Sequence, residues 1–272
     1  MKKRLISILL LCCMVLTLLP TTVLAADGPM DTIPKYDVSI DVYNRTSDIS
    51  IKDSRSYYIY SSVPDKLRDT WAWDKKIFIK GDKTAPHIFI DGVNIKMSPS
   101  SKGPAIELNK KASAYLYFIG KDSTLQGADG RAAIQKNRSE GQLYVLARTG
   151  TTVTCKGGYR AAGIGGNWAI RNIGDSMFNM DMYGHGVNMH FGSQSNPDYW
   201  GGTIAAIGGE GGAGIGGGGN NYYSEGGSAS NITISGGEVE AAGGTWGAGI
   251  GGGENGDGSD IIISGGEVKA TG

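Results

Sequence analysis

The sequence feature that most constrains the fold is a repeat that runs from Gly201 to Gly272. The segment Gly212-Ala-Gly-Ile-Gly-Gly-Gly recurs from Gly247, and Asn231-Ile-Thr-Ile-Ser-Gly-Gly recurs as Asp260-Ile-Ile-Ile-Ser-Gly-Gly. Self-similarity at a period of roughly 20–50 residues is typical of solenoids, propellers and other repeat arrays. The repeat therefore has to be interpreted before any single residue.

Each repeat contains three short pieces in which apolar residues alternate, separated by glycine-rich corners. Alternation places the apolar side chains on one face of a strand, and glycine permits tight corners. No amphipathic run of helical length separates the pieces, and a propeller blade would need a fourth strand. The pattern predicts an all-β chain, a right-handed parallel β-helix of about six or more coils in which like residues stack on like.

Two columns of apolar residues extend the repeat upstream. The first is Ile250, Ile215, Ile164, Ile134 and Ile106, with steps of 35, 51, 30 and 28. The second is Val268, Val239, Ile204, Val153, Leu125 and Val93, with steps of 29, 35, 51, 28 and 32. Both columns contain the long step at the same place, which predicts an insertion at residues 167–186.

The rest of the chain divides around these coils. Residues 1–25 have the basic start, the apolar run and the small residues of a signal peptide, with cleavage before Ala26. The apolar run is shorter than the ~20 residues of a spanning helix, so we expect no stable membrane span after cleavage, a retained anchor being the alternative. Residues 26–85 are predicted to form an N-terminal cap and the first strands, with Asp65 to Asp74 as a loop or cap. Residues 86–272 are predicted to form the coils, and the sequence stops one strand into a new one.

Charge and cysteine content exclude several classes of function. Signal cleavage leaves a net charge of 23 − 26 = −3, with 22 basic and 15 acidic residues in 26–171. Residues 172–272 carry 11 acidic residues and one basic residue, Lys269, so nucleic acid is not an expected partner. Cleavage also leaves Cys155 alone, which excludes an internal disulfide and indicates a buried small apolar residue.

The chain resembles a known type of bacterial surface region. The resemblance rests on Asp48-Ile-Ser-Ile, His87-Ile-Phe-Ile-Asp-Gly-Val-Asn-Ile, Ala162-Gly-Ile-Gly-Gly and the Gly-Ala-Gly-Ile-Gly-Gly-Gly repeats, and it covers about residues 48–272. It is similar to the glycine-rich β-helix regions of secreted and cell-surface proteins of Gram-positive bacteria that carry the label carbohydrate-binding domain-containing. These regions resemble the pectin-lyase-like right-handed β-helices. The resemblance implies the fold and an extracellular location, and it leaves the function open because a fold does not fix a function.

An enzymatic alternative rests on Gly184-His185-Gly186, since pectin-degrading hydrolases of this fold carry a Gly-His-Gly. Glycoside hydrolysis generally needs two carboxyl groups across the scissile bond. The upstream carboxylate motifs of those hydrolases are missing here, and the nearby acids are Asp175 and Asp181. We therefore predict no catalytic residues, with a polysaccharide lyase or hydrolase as the minor alternative.

Sugar binding is the preferred hypothesis because aromatic residues interrupt the glycine-rich corners. Flat rings beside polar groups suit the apolar face and the hydroxyls of a pyranose. The alternative is that the rings cover glycine-rich backbone, which applies most to Trp168 and Trp200. The candidate ligand-binding residues are Trp168, Tyr199, Trp200, Tyr222, Tyr223 and Trp246.

A possible Ca²⁺ site is suggested by Asn255-Gly-Asp-Gly-Ser-Asp-Ile-Ile-Ile. It nearly matches a nonapeptide that binds Ca²⁺ when copies stack, with Asp260 as ligand and Asp257 as accessory. The equivalent position one coil back is Asn231, in a loop without matching carboxylates, so a plain polar turn is the alternative. No other cofactor is expected.

These observations predict a non-catalytic, exported module that is secreted or attached to the cell surface. Its expected partner is a polysaccharide or surface glycan, which it would bind in the manner of an adhesin through repeated aromatic residues. A structural stalk or spacer is the alternative.

Overall fold

The structure, a computed structural model, describes residues 33–101, 103–109, 111–137, 140–168, 184–220 and 225–272. The chain divides into two units, 1–34 and 35–272, and every element named below lies in the second. The strands are β1 (Val38–Asp41), β2 (Ile49–Ile51), β3 (Ser56–Tyr60), β4 (Ile77–Lys80), β5 (His87–Asp91), β6 (Asn94–Lys96), β7 (Ile106–Asn109), β8 (Ala114–Phe118), β9 (Ser123–Gln126), β10 (Ile134–Gln135), β11 (Leu143–Ala147), β12 (Thr152–Lys156), β13 (Ile164–Gly165), β14 (Gly186–Phe191), β15 (Thr203–Ile207), β16 (Ile215–Gly216), β17 (Ala229–Ala242), β18 (Ile250–Gly251) and β19 (Gly258–Thr271). Short 3-10 turns occur at Asp65–Leu67 and Pro99–Ser101. No helical segment of the described residues has the length and apolar character needed to cross a bilayer.

The strands form three faces, and every pair in them is parallel. The first face has the order β1-β3-β5-β8-β11-β14 and ends in the first halves of β17 and β19. The second face has the order β6-β9-β12-β15 and ends in the second halves of the same two strands. The third face has the order β2-β4-β7-β10-β13-β16-β18. The chain passes from face to face in this sequence in each coil, so the fold is the predicted right-handed parallel β-helix.

The predicted columns agree with the observed register except at one place. Ile106, Ile134, Ile164, Ile215 and Ile250 pair in succession on the third face. On the second face the pairs Val153–Ile204, Ile204–Val239 and Val239–Val268 also form as predicted.

The predicted pairing of Val153 with Leu125 is wrong. Val153 pairs with Ser123, while Leu125 pairs with Cys155 on one side and with Ile95 on the other. Val93, the predicted partner of Leu125, donates its N–H to Ser123 Oγ instead. A shift of two residues keeps every side chain on its own face, so alternation alone cannot detect the error.

The core lies between the three faces and is made of alternate residues of each strand. In β4, for example, Ile77 and Ile79 are buried while Phe78 and Lys80 are more exposed. Burying one such side chain contributes about 1.5–3 kcal/mol, so a column repeated over many coils supplies most of the stabilisation. Cys155 is fully buried in this core as predicted, and burial raises the pKa of its thiol.

The predicted loop or cap at Asp65 to Asp74 contains part of the regular structure. Trp73 is buried and forms a parallel bridge with Ile95, so it occupies the second face one coil before β6. Its indole Nε1 donates to the Arg45 carbonyl at 2.8 Å. The tryptophan therefore closes the side of the core where the early coils have only short strands.

The long step between Ile164 and Ile215 has two sources. One is the predicted insertion, of which residues 169–183 lie outside the described part of the chain. The other is a corner loop at 192–202, between β14 and β15. The corresponding corner between β11 and β12 contains only residues 148–151.

A polar cluster lies at the corner between the third and first faces. Asn167 Nδ2 donates to Gln135 Oε1 at 2.6 Å, and Gln135 Nε2 donates to Asn137 Oδ1 at 3.4 Å. Lys136, which is almost fully buried, donates from Nζ to the Glu140 carbonyl at 3.1 Å. Burial lowers the pKa of Lys136 to about 8, because the charged amine loses its hydration.

Candidate ligand-binding site

Four aromatic rings form a continuous stack on the outer surface of the first face. His87, Tyr115, Tyr144 and His190 come from four successive coils, and their strands pair in register. The ring centroids are 4.5, 4.5 and 4.6 Å apart, with interplanar angles of 2°, 7° and 14°. His190 also pairs with Thr233 of the segment Asn231-Ile-Thr-Ile in the following coil.

The two histidines at the ends of this aromatic stack are held by hydrogen bonds. His87 Nδ1 lies 3.0 Å from Tyr117 Oη, and His190 Nε2 lies 2.8 Å from Gln142 Oε1. Burial lowers the pKa of both imidazoles, since the charged form loses hydration. Inside the stack each ring face is covered by its neighbour and only the edge points outward. A sugar needs a free ring face, so the aromatic stack is suited to holding coils together.

Two of the predicted ligand-binding residues pack on this same outer surface. Trp200 is 5% exposed, and its ring lies 5.3 Å from the ring of Tyr117. Tyr199 is equally buried, stands edge-on to Trp200 at 4.6 Å and accepts the Thr149 N–H at its carbonyl. The loop 192–202 is therefore held against the coils, and these two rings have no free face for a ligand.

The corner between the second and third faces carries a column of four stacked turns, at 127–132, 157–162, 208–213 and 243–248. The Gly158 N–H donates to the Arg131 carbonyl, Gly209 to Ala161 and Gly244 to Gly212, at 2.8–2.9 Å. A Cβ at Gly158 would lie 1.9 Å from the Ala128 carbonyl oxygen. Glycine is required here because neighbouring turns touch through their backbones.

The tip of each turn contains one residue in the left-handed region. These left-handed positions are Gly130, Arg160, Gly211 and Trp246, with φ between 56° and 72°. Trp246 is 66% exposed, the highest value among the exposed large hydrophobic residues of the described chain. A non-glycine residue in this region costs about 1–2 kcal/mol, and the exposed ring recovers little of that by packing.

A second aromatic group lies in the same turn column, two coils before Trp246. The Trp168 N–H donates to the Gly130 carbonyl at 3.0 Å, which places its ring against the first turn. Tyr159, 45% exposed, stands edge-on to Trp168 with a centroid distance of 5.9 Å. Trp168 is therefore packed in part, as the alternative interpretation expects. Tyr159 is the more exposed ring, and the Arg160 guanidinium lies over one of its faces, 5.3 Å from the ring centroid.

Arg160 carries a buried charge at the base of this aromatic group. Its guanidinium is 4% exposed and donates to the carbonyl of Asn220. Carboxylate oxygens of Glu210 and Glu254 each lie 3.5 Å from it. A hydrogen bond to the Tyr159 hydroxyl is the main reason that the pKa of Arg160 is raised. The arginine thus joins turns of three coils, since a buried charge requires partners.

The proposed Ca²⁺ ligand Asp260 occupies a structural position. Asn188, Asn231 and Asp260 stack at equivalent places on the first face, each with φ between 51° and 58°. Asn231 Nδ2 donates to Asn188 Oδ1 at 2.6 Å. Asparagine and aspartate tolerate this conformation, which accounts for Asp260 without a metal. Asp257 is exposed, and its carbonyl accepts the Ala229 N–H at 2.8 Å.

The remaining candidates are only partly described. Tyr222, Tyr223, Asp175 and Asp181 lie outside the described residues. His185 Nδ1 accepts the Ser228 N–H at 2.9 Å, so this nitrogen takes part in the contact between coils. The described residues contain no group of three or more His, Cys, Asp or Glu side chains able to hold a metal ion.

Sequence reasoning missed Tyr159 and the aromatic stack. Both were accessible in principle, because aligning the glycine-rich turns places Tyr159-Arg160 opposite Thr245-Trp246. Tyr115 and Tyr144 stand in the similar segments Ala114-Tyr-Leu-Tyr and Leu143-Tyr-Val-Leu, and matching these segments places the two tyrosines in one column. In the sequence, aromatic residues are most conspicuous where glycine is densest, and Tyr159 and the aromatic stack come largely from less glycine-rich segments.

A family model described as a beta helix repeat matches residues 232–254. The match includes most of β17, the turn that carries Trp246, and β18. This part of the chain is a β-helix repeat region. No curated protein matches the chain, and no solved structure does either.

Proposed function

We propose that this β-helix is a non-catalytic, exported module that binds carbohydrate through the turn column. The observation that carries the proposal is Trp246, an exposed indole in the left-handed region at the tip of a turn. Conformational strain of this kind is found at ligand clamps, where the surrounding structure holds a residue in place for use. An exposed ring with a free face is also the group that packs on the apolar side of a pyranose.

The spacing of the rings favours an extended ligand. Tyr159 and Trp246 belong to turns two coils apart, and successive coils are separated by about 4.8 Å. The two exposed rings are therefore about 10 Å apart along the axis. A chain of sugars that follows the axis could contact both, which suits a polysaccharide or a surface glycan better than a single sugar.

Export is the second part of the proposal. The basic start and apolar run of residues 1–25 support secretion or display at the cell surface, where such a glycan would be met. Neither Ca²⁺ nor another cofactor is required for contacts between rings and sugars.

The test is binding of the purified protein to a glycan array and to insoluble polysaccharides, with the variant Trp246→Gly. Glycine removes the ring and adopts the left-handed conformation without strain, so the turn should survive. The matched control is Tyr36→Ala, which removes an exposed ring on the first face that stacks on Tyr58 at 5.2 Å. We expect binding to be lost in Trp246→Gly and kept in Tyr36→Ala. Equal retention by both variants and the unchanged protein would contradict the proposal.

A structural spacer is the second candidate, favoured by the aromatic stack, whose rings are occupied in contacts between coils. In that case no glycan would retain the unchanged protein. Loops of the turn column would then tolerate substitution without any loss beyond stability.

A further inference from the structure

The two later turns of the column, 208–213 and 243–248, lie in the acidic part of the chain. Residues 172–272 carry 11 acidic residues and a single basic one, Lys269. Because the coils follow one another along the axis, this composition makes the later coils acidic. Lys269 Nζ lies 3.1 Å from a carboxylate oxygen of Glu240 on the second face, so its charge is compensated away from the turn column.

Two carboxylates lie beside the residue of the preceding turn that is equivalent to Trp246. That position is Gly211, whose N–H donates to the Thr245 carbonyl at 2.8 Å and so joins the two turns. Its carbonyl accepts the Glu254 N–H at 2.7 Å, and a Cβ on Gly211 would lie 3.2 Å from Glu254 Oε2. Glu210 is the adjacent residue in the same turn, and 43% of its side chain is exposed.

The one cation of this group is withdrawn from solvent. Arg160 is 4% exposed, and its guanidinium faces the Asn220 carbonyl and both carboxylates. Two carboxylates share one guanidinium, so a net negative charge remains. A ligand that approaches Trp246 therefore meets the carboxylate of Glu210 before it meets any positive group of this cluster.

We infer that the turn column selects glycans with protonated amino groups, such as polymers of glucosamine, over uronic acid polymers. The inference rests on the proposed carbohydrate function and adds its substrate class. An ammonium group gains both from a carboxylate and from the face of an indole. A uronate would place a like charge beside Glu210, which lowers its affinity.

The test compares three probes by calorimetry at mildly acidic pH and low salt: hexamers of glucosamine, N-acetylglucosamine and galacturonic acid. We expect the glucosamine hexamer to bind best and the galacturonic acid hexamer to bind least. Added salt should weaken the first, since an exposed charge pair is screened. Equal affinity for the glucosamine and N-acetylglucosamine hexamers would overturn the inference.

The matched pair of variants is Glu210→Gln and Glu267→Gln, which remove the same charge from the turn column and from the second face. Loss of one exposed carboxylate contact should reduce the affinity for the glucosamine hexamer about fivefold in Glu210→Gln. The Glu267→Gln protein should bind as the unchanged protein does, and equal effects of the two would refute the assignment to Glu210. Binding of neutral glycans that depends on Trp246 and ignores Glu210 would leave the proposed function standing and overturn only this inference. Absence of binding to every glycan would overturn both.

Discussion

Replacing Tyr144 in the aromatic stack tests whether ring stacking holds the coils together. Its ring has a neighbour on each side, Tyr115 at 4.5 Å and His190 at 4.6 Å. An aromatic pair contributes about 0.5–1.5 kcal/mol beyond the area that it buries, so two pairs contribute about 1–3 kcal/mol. Tyr144→Leu keeps an apolar side chain and loses both pairs, so the free energy of unfolding should fall by that amount.

Tyr144→Ala also loses the buried area of the ring. About 100 Å² of apolar surface at 25 cal/mol per Å² adds about 2.5 kcal/mol, which brings the expected loss to about 3.5–5.5 kcal/mol. The control is Tyr144→Phe, which keeps the ring and both contacts and should stay within about 0.5 kcal/mol of the unchanged protein.

The assay is urea unfolding followed by circular dichroism, with native-state hydrogen exchange of the strands β8, β11 and β14. Exchange is needed because each coil contacts only its neighbours, so the loss can be local. Faster exchange should be confined to these strands and the coils beside them. The reasoning would be refuted if Tyr144→Leu unfolded at the same urea concentration as Tyr144→Phe with unchanged exchange.

Three further predictions concern glycine, lysine and asparagine positions. Gly158→Ala should cost more than about 2 kcal/mol in urea unfolding, because its Cβ would lie 1.9 Å from a carbonyl oxygen, whereas Gly258→Ala, with its nearest contact at 3.4 Å, should change little. The pKa of Lys136 falls from 10.5 to about 8 on folding, so the unfolded chain binds more protons between these values and stability should rise by up to about 3 kcal/mol as pH increases from 8 to 10.5. Lys136→Met should lack this rise in pH-dependent unfolding, and an identical slope in both proteins would contradict the assignment. Asn231→Gly should cost about 0.5–1.5 kcal/mol, because the side-chain hydrogen bond from Asn231 to Asn188 is lost. Asn231→Val should cost more, because a branched residue is strained at φ 53°. Thermal unfolding of both variants is the measurement, and the reverse order of stabilities would contradict a stabilising role of the stacked side-chain amides.

The sequence was sufficient for the fold and for most of the register. The isoleucine column on the third face could be predicted because Gly-Ala-Gly-Ile-Gly identifies Ile215 and Ile250, and each earlier member also follows an alanine by one or two positions. The second face has plain alternation upstream of Val153, and a shift of two residues there leaves every apolar side chain inside. The error at Leu125 follows directly from that degeneracy.

The candidate site was less accessible from the sequence. Trp246 could be named because a tryptophan in a glycine-rich turn is conspicuous, but its conformation depends on the stacked turns around it. Tyr199 and Trp200 have the same local character and are nevertheless buried, since the loop 192–202 folds back onto Tyr117. The pairing of Arg160 with Glu210 and Glu254 joins residues 50 or more positions apart, which only the coil geometry reveals.

Because the glycine turns stack in the same way in successive coils, the sequence of one whole coil can be deleted or duplicated as a unit. Deleting residues 209–243 would join Gly208 to Gly244, and Gly244 would then rest on Gly158 as Gly209 does now. The same deletion would set Ile204 against Val268 and Asn188 against Asp260, so each column would lose one member and close again. Recombination between repeats can therefore lengthen or shorten the rod in steps of about 4.8 Å, leaving both of its ends unchanged.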